Sequence, residues 1–194
     1  MAKATLYHAT SHANAGKILR EGFRIPHVSW GEIVTHHTTK SPGSLGYGIY
    51  GFLNDSQLAE EFWSSATSFS QKHDTIEIQI KYDDENCLNF VDNIKDMIFF
   101  REFLRNSHTQ AQLRNLHRMF YNSFKQYAFD GAILEYYISY LRHTKDFETV
   151  DVVCCATATD VYHNFKIFIP NGIEYNLRNQ SVIEAFNIKE NING

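Results

Sequence analysis

A histidine and a tyrosine are the residues of this sequence with the clearest potential for chemistry. His8 stands in the run Leu-Tyr-His-Ala-Thr at residues 6–10, at the end of a predicted apolar strand, where it is either a structural residue or a ligand contact. Tyr50 lies in a stretch with four glycines within nine residues, 43–51. Glycines let the backbone come close to a flat ligand, for which Tyr50 would be an aromatic platform. The alternative for this stretch is a flexible turn that enters a strand.

The glycine-rich stretch does not match the common nucleotide-binding motifs. It lacks the lysine of a Walker P-loop, and its glycines do not have the spacing of the dinucleotide fingerprint that opens a helix. Taken alone, it is a weak signal for a ligand site.

Taken in order along the chain, three segments resemble a known enzyme family. They are His-Ala-Thr at 8–10, Ala-Gly-Lys-Ile-Leu-Arg-Glu-Gly-Phe-Arg-Ile at 15–25 and Gly-Tyr-Gly-Ile-Tyr at 46–50. Their order and spacing resemble the ADP-ribosyltransferases of the H-Y-E type, which include the poly(ADP-ribose) polymerases and the diphtheria-like toxins. The resemblance covers residues 5–63 and is weak after residue 75.

The resemblance implies roles for five residues in binding NAD as a co-substrate. His8 would bond the ribose next to nicotinamide, and Tyr50 would stack on the nicotinamide ring. Ala9 takes the place of a glycine whose backbone binds the nicotinamide amide. Thr10 is similar to the residue at the adenine-side ribose, and Arg24 to an arginine near the adenosine and the phosphates.

Two further features of the family are less clearly matched. A second aromatic wall corresponds to Phe62 or Trp63, for which packing in the core is the alternative. The third member of the triad is a carboxylate at the start of a late strand. Glu148 and Asp151 are equal candidates and Glu135 is the next, each with a solvated carboxylate at a strand edge as the alternative.

The implied reaction is transfer of ADP-ribose from NAD to a macromolecular acceptor, with release of nicotinamide and without a metal. A non-catalytic module that binds NAD or ADP-ribose and an NAD glycohydrolase are the alternatives. By analogy, a free-standing transferase of this size is a toxin or phage-defence enzyme with a possible antitoxin partner. The acceptor, a nucleic-acid base or a protein side chain, is not identified. The loop at 138–149 is expected to face it, and a cationic aromatic groove for nucleic acid has these candidates: Arg101, Arg105, Arg114, Arg118, Lys125, Tyr121 and Tyr127. The alternative is two ordinary surface helices.

The elements that must position these residues can be predicted from periodicity. Ser11 or His12 starts a helix that ends before Gly22, and Asp55 or Ser56 caps a second helix that continues to about residue 66. Strands and helices are mixed without regular alternation, which favours an α+β fold. Strands are predicted at 5–8, 75–82, 131–137 and 150–155, with a weaker one at 166–169, and further helices at 93–106 and 110–129. The resemblance implies a split, strongly curved mixed sheet with an NAD cleft and a helical insert at about 93–129.

Composition limits the remaining function classes. The chain has 194 residues, 43% of them hydrophobic, which is enough for a sizeable core in one domain over 1–194. Its 18 basic and 22 acidic residues exclude a strongly basic nucleic-acid coat. Short apolar runs and the lack of an apolar leader predict a cytoplasmic protein that does not enter the membrane. His36, His37 and His73 lack the partners of a metal site and are expected at the surface.

Overall fold

The computed structural model describes residues 1–35, 40–67, 72–120, 127–144, 149–159 and 169–189. These ranges contain seven strands and six helices. The strands are β1 (Ala2–Ser11), β2 (Ile49–Leu53), β3 (His73–Tyr82), β4 (Cys87–Phe90), β5 (Val152–Thr157), β6 (Gly172–Leu177) and β7 (Ile183–Ile188). The helices are α1 (His12–Glu21), α2 (Trp30–Val34), α3 (Ser56–Ala66), α4 (Ile94–Arg105), α5 (Ser107–Phe120) and α6 (Ala128–Thr144).

The seven strands join one sheet in the order β4-β5-β6-β2-β1-β3-β7. β4 and β5 run parallel, and the other neighbouring strands are antiparallel. The sheet is therefore mixed, and the predicted α+β class is confirmed. β1 shares ten registered pairs with β3 but only two with β2, Leu6–Leu53 and Tyr7–Phe52. His8 comes directly after the last of these pairs, where the short β1–β2 pairing ends.

Local capping signals explain where the first helices begin and end. The Ser11 side chain accepts a hydrogen bond from the backbone N–H of Asn14 and caps α1. Gly22, with φ of +78°, ends that helix by donating its N–H to the carbonyl of Ile18. Asp55 caps α3 by accepting from the backbone N–H of Leu58. Each cap pairs a backbone group that a helix end leaves free, so the predictions at Ser11, Gly22 and Asp55 are confirmed.

The sheet buries apolar side chains on both of its faces. One face packs against α1, and the other packs against α4 and α6. Central residues of the first core are Leu6, Ile76, Ile78 and Leu177, and those of the second are Leu88, Tyr137, Ile138 and Val153. Because burial of one such side chain stabilises a fold by about 1.5–3 kcal/mol, these two cores hold the sheet in place. Polar side chains buried within the sheet, such as Glu174 and Asn176, therefore stand out.

The strand predicted at 131–137 is wrong, because these residues form the middle of α6. The buried positions of this helix continue through Ile138 to Leu141, at spacings of three and four residues. α6 contacts α2 and α5 as well as the second sheet core, so few of its faces are polar. A short apolar run of this kind cannot be told from a buried strand by periodicity. The helices between the early and late strands consequently extend to Thr144, beyond the insert predicted at 93–129.

The late part of the chain differs from the sequence prediction in other respects. β6 and β7 were not predicted, and most of the weak strand predicted at 166–169 falls outside the described residues. The strand predicted at 150–155 lies two residues later, as β5. Among the described helices, none has both the length and the apolar character needed to cross a bilayer.

Candidate active site

A cavity of about 680 Å³ opens between residues 40–48, β2, β6 and α3. Its volume lies within the roughly 300–1,000 Å³ that is typical of small-molecule sites. The side chains that give it chemical character are aromatic or polar. They are Lys40, Ser41, Ser44, Tyr47, Tyr50, Phe62, Ser65, Tyr127, Thr157, Thr159 and Glu174.

Tyr50 lines this cavity, and its hydroxyl group is bonded to the loop above it. The hydroxyl donates to the carbonyl of Gly46 at 2.6 Å and accepts from the backbone N–H of Leu45 at 2.9 Å. Burial, followed by the nearby carboxylate of Glu174, raises the pKa of the Tyr50 phenol. The phenol is therefore neutral at physiological pH, and it holds the glycine-rich loop, which we define as residues 43–48.

Two glycines of this loop are needed for close packing. A Cβ atom at Gly43 would lie 2.5 Å from the hydroxyl oxygen of Tyr50. Gly46 has a φ of +86°, and a Cβ atom there would collide with the carboxylate of Glu135. The loop backbone thus packs directly on Tyr50 and Glu135. Neither interpretation from the sequence, a flexible turn or a backbone close to a flat ligand, included this contact of the glycines with Tyr50 and Glu135.

A buried ion pair holds the other end of the loop. Arg178 donates to both carboxylate oxygens of Glu135, at 2.6 and 2.8 Å. Glu135 also accepts the backbone N–H of Tyr47 at 2.7 Å, and Arg178 donates to the carbonyl of Tyr47 at 3.0 Å. The two side chains are 5% and 11% exposed. The pair therefore binds both backbone polar groups of Tyr47, the N–H and the carbonyl.

Glu174 is the residue that sequence reasoning missed. It lies on β6 in register with Phe52 of β2, and its side chain faces the cavity beside Tyr50. Its Oε2 accepts a hydrogen bond of 2.7 Å from Ser44 Oγ. Burial raises the pKa of the Glu174 carboxyl, and the Ser44 hydrogen bond lowers it in part. The alternation of Ile173, Glu174 and Tyr175 was the available signal, since it is typical of a strand with a polar face.

His8 is a half-buried residue of β1, directly after the last registered pair of that strand with β2. Its Nδ1 is 2.8 Å from the carbonyl oxygen of Tyr50, and its ring packs edge-on against Phe23. Burial lowers the pKa of His8, which keeps the imidazole neutral near pH 7. Because a carbonyl oxygen only accepts, Nδ1 must carry the proton, and Nε2 is a hydrogen-bond acceptor. His8 itself is not a lining residue of the cavity.

The other predicted NAD contacts have different surroundings. Ala9 packs against the cluster around Phe52, and Thr10 is buried in β1. Arg24 is 75% exposed and pairs with Glu21, away from the lining of the cavity. These three residues are not among those that line the cavity.

The two candidates for a second aromatic wall separate clearly. Phe62 lines the cavity, is 39% exposed and packs edge-on against Phe52. Trp63 is not a lining residue and has its ring 6.5 Å from that of His73. Of this pair, Phe62 is thus the one positioned to contact a ligand.

The acids predicted from the sequence are not part of the cavity lining. Asp151 accepts hydrogen bonds from the side-chain amides of Asn86 and Asn179, at 3.1 and 2.9 Å. Glu135 is paired with Arg178, as described above. Glu148 lies outside the described residues. Of the acids in the described part of the chain, Glu174 is the one that lines the cavity.

The remaining candidates for chemistry are three histidines and a cysteine. The described residues contain no group of three His, Cys, Asp or Glu side chains that could hold a metal ion. His73 lies beside Trp63, whereas His36 and His37 fall outside the described ranges. Burial raises the pKa of the Cys155 thiol to about 11, so this cysteine is protonated at neutral pH and is a poor nucleophile.

The predicted acceptor surface is only partly described. Arg114 and Arg118 line a shallow depression of about 310 Å³ on α5. Arg105 of α4 pairs with Glu102. Tyr127 lines the main cavity with 63% of its surface exposed. Tyr121, Lys125 and 145–148 lie outside the described residues, and the first part of the predicted loop, 138–144, belongs to α6.

Comparisons with known proteins add no relative. No model of a known protein family matches this chain, and neither does any curated protein or solved structure. A functional proposal for the chain therefore depends on the geometry of the cavity and on the segments at 8–10 and 46–50.

Proposed function

We propose that this protein is an NAD-dependent mono-ADP-ribosyltransferase. The observation that carries the proposal is that Tyr50 and Glu174, from adjacent strands, line one cavity, while His8 is bonded to the backbone of Tyr50. An aromatic ring, a buried carboxylate and a neutral imidazole are the three groups that the H-Y-E resemblance requires. Glu174 takes the role for which Glu148, Asp151 and Glu135 were the candidates from sequence.

Glu174 would stabilise the charge that develops during the reaction. In the transfer, the bond between the ribose anomeric carbon and nicotinamide breaks, and nicotinamide leaves with the bonding electrons. A nucleophile of the acceptor then forms a bond to that carbon and loses its proton to solvent. A fixed carboxylate in a buried site lowers the barrier, because positive charge on the ribose is largest in the transition state. The Ser44 hydroxyl holds one oxygen of this carboxylate in place.

Tyr50 and His8 would orient NAD rather than react with it. The ring of Tyr50 faces the cavity and offers a surface on which nicotinamide can stack. His8 is not among the residues that line the cavity, so its imidazole would act through the hydrogen bond that Nδ1 donates to the carbonyl of Tyr50. Such orientation contributes to the rate because it holds the scissile bond in a reactive geometry. NAD binding at this cavity requires no metal in this proposal.

Incubation with NAD labelled in its adenosine part, with and without cell lysate, tests the proposed function. Wild-type protein should release nicotinamide and transfer the label to a macromolecule, and digestion with nuclease or protease then identifies the acceptor class. Glu174→Gln should lower both signals by roughly 10²–10³. Glu184→Gln, which removes a carboxylate on β7 that pairs with Lys3, is the matched control and should retain them.

The other outcomes of this experiment point to the alternative functions. Nicotinamide release without labelled product would indicate an NAD glycohydrolase. Binding of NAD without release would indicate a non-catalytic binding module. If the wild-type protein neither binds nor cleaves NAD, the proposed function is wrong. A toxin role with an antitoxin partner would follow only from a labelled acceptor that is essential to the host cell.

A further inference from the structure

The ion pair of Glu135 and Arg178 is a buried feature that the proposed reaction does not use. Neither side chain lines the cavity, and the two hydrogen bonds between them are short and bidentate. Together they bind the N–H and the carbonyl of Tyr47, in the glycine-rich loop. The pair thus connects α6, the end of β6 and the loop at a single residue.

Stability alone does not account for this ion pair. Removing two charges from water is costly, and well-packed apolar residues in place of a buried pair are often as stable or more stable. Nε of Arg178 is buried and has no hydrogen-bond partner among the described residues. A pair that is incompletely satisfied in this way is a poor means of stabilising the fold. Its geometry calls for another explanation.

The loop links Tyr47 to Tyr50 and Glu174, two of the residues that line the cavity. Gly46, the preceding residue, accepts the hydroxyl hydrogen bond of Tyr50. Ser44, two residues earlier, donates to Glu174. A backbone bridge between Gly43 and Gly46 keeps this segment compact. A shift of the Tyr47 peptide would therefore move the groups that hold both Tyr50 and Glu174.

We propose that Glu135 and Arg178 are positioning residues, which fix the glycine-rich loop so that the Ser44 hydroxyl stays bonded to the Glu174 carboxylate. The catalytic part of this inference rests on the proposed function, since it makes the pair necessary for an efficient transfer. The structural part does not, because the Ser44–Glu174 bond exists in the protein without any substrate.

Titration of the Glu174 carboxyl measures the position of the loop directly. The groups near Glu174 that carry charge or titrate are Tyr50 on β2, Cys155 on β5 and Lys40 at the cavity. The charge of Glu135 also raises the pKa of the Tyr50 phenol, so Arg178→Lys, which keeps both charges of the pair, is the variant that separates loop position from charge. Loss of the Ser44 donor removes a bond that favours the ionised carboxyl, so the pKa of Glu174 should rise.

We would follow the Glu174 carboxyl by ¹³C NMR in wild-type protein and in four variants. Ser44→Ala defines the effect of losing the donor, which should raise the midpoint by about one pH unit. Arg178→Lys keeps both charges and disrupts the bidentate pair, so it should raise the midpoint in the same direction. Glu135→Gln also breaks the pair but leaves the Arg178 cation unpaired, which favours the ionised carboxyl, so its midpoint should rise less than that of Arg178→Lys. Glu102→Gln removes a carboxylate from an exposed ion pair with Arg105 and should leave the midpoint unchanged.

The result decides the inference whether or not the protein turns over NAD. A folded Arg178→Lys protein with the wild-type midpoint at Glu174 would overturn it. Failure of both variants to fold would show a structural role and would overturn it too. If nicotinamide is released, both variants should lower kcat by more than they change KM, and the acidic limb of the pH–rate profile should move to higher pH. If the wild type releases none, the proposed function fails, and the titration still tests the positioning.

Discussion

Ser44 Oγ donates a 2.7 Å hydrogen bond to Glu174 Oε2, joining two residues that are 130 positions apart in the chain. One belongs to the glycine-rich loop and the other to β6. The same loop therefore binds the buried Glu174 carboxyl, through Ser44, and the Tyr50 hydroxyl, through Leu45 and Gly46. Substitutions can separate the role of Glu174 in the proposed reaction from the role of the loop contacts in stability.

Exchanging each of two acids for its amide should separate activity from stability. Glu174→Gln should lower the rate of nicotinamide release by roughly 10²–10³, as is typical for loss of one well-placed electrostatic partner. Asp151→Asn should retain the wild-type rate. It should lower the free energy of unfolding by about 1 kcal/mol, because an amide has one acceptor oxygen and can keep only one of the hydrogen bonds from Asn86 and Asn179. Steady-state kinetics and urea unfolding of both variants make the comparison. The reverse pattern would show that Asp151 is the reacting acid.

Removing the hydroxyl of Tyr50 should loosen the loop. In Tyr50→Phe the backbone N–H of Leu45 loses its acceptor in a buried position, which costs about 1–3 kcal/mol of unfolding free energy. Tyr140→Phe, at a partly exposed position of α6, is the control and should change the unfolding free energy little. Urea unfolding measures both. Equal stability of the two variants would mean that the loop does not depend on the hydroxyl.

A methyl group should have opposite effects at two glycines. Gly46→Ala places a Cβ atom at a φ of +86° and against Glu135, so we expect a loss of at least about 1–2 kcal/mol. At Gly16, inside α1, the new atom would meet only the flexible end of Arg20, at 3.4 Å. Gly16→Ala should stabilise the protein by about 0.5–1 kcal/mol. Denaturant midpoints with unchanged slopes would report both effects, and a neutral Gly46→Ala would contradict the packing of the loop.

Acidification should reduce stability through His8. The pKa of His8 is lowered in the folded protein by burial, so below about pH 6.5 the unfolded chain takes up a proton that the folded protein does not. The free energy of unfolding should therefore fall as the pH drops below that value. Glu174, whose pKa is raised by burial, acts in the opposite direction at lower pH, since its folded form takes up a proton first.

The variant His8→Asn isolates the histidine contribution. Asparagine keeps an N–H donor for the carbonyl of Tyr50 and does not titrate. Urea unfolding at pH 7.0 and about pH 5.5 should show a smaller loss of stability in this variant than in the wild type. An identical loss in the two proteins would place the acid sensitivity in other residues.

Features that depend on neighbouring residues could be predicted from the sequence. Ser11, Gly22 and Asp55 act on backbone groups within four positions of themselves, so their helix boundaries were predicted correctly. The segment at 131–137 failed because its environment, and not its local pattern, determines its conformation. Its burial comes from α2, α5 and the sheet, which periodicity cannot register.

The same limit applies to the site. His8 and Tyr50 were singled out from short motifs, and the structure joins them through a hydrogen bond from the imidazole to the backbone. Whether an acid faces a cavity depends on contacts made much later in the chain. Glu135 is paired with a residue 43 positions away, and Glu174 is buried by a loop that precedes it by 130. The local sequence shows at most the alternation around Glu174, which indicates a polar strand face but not the loop that covers it.

The anchoring of the glycine-rich loop sets the order in which the site can form during synthesis. The loop bonds to residues 88 and 130 to 131 positions further along the chain: Glu135, Glu174, Asn176 and Arg178. Contacts of such high sequence separation form late, because the intervening chain must be ordered first. On the ribosome, His8 and Tyr50 emerge early, but the cavity is incomplete until β6 has left the exit tunnel. A nascent chain therefore carries His8 and Tyr50 before the cavity that Tyr50 lines is complete.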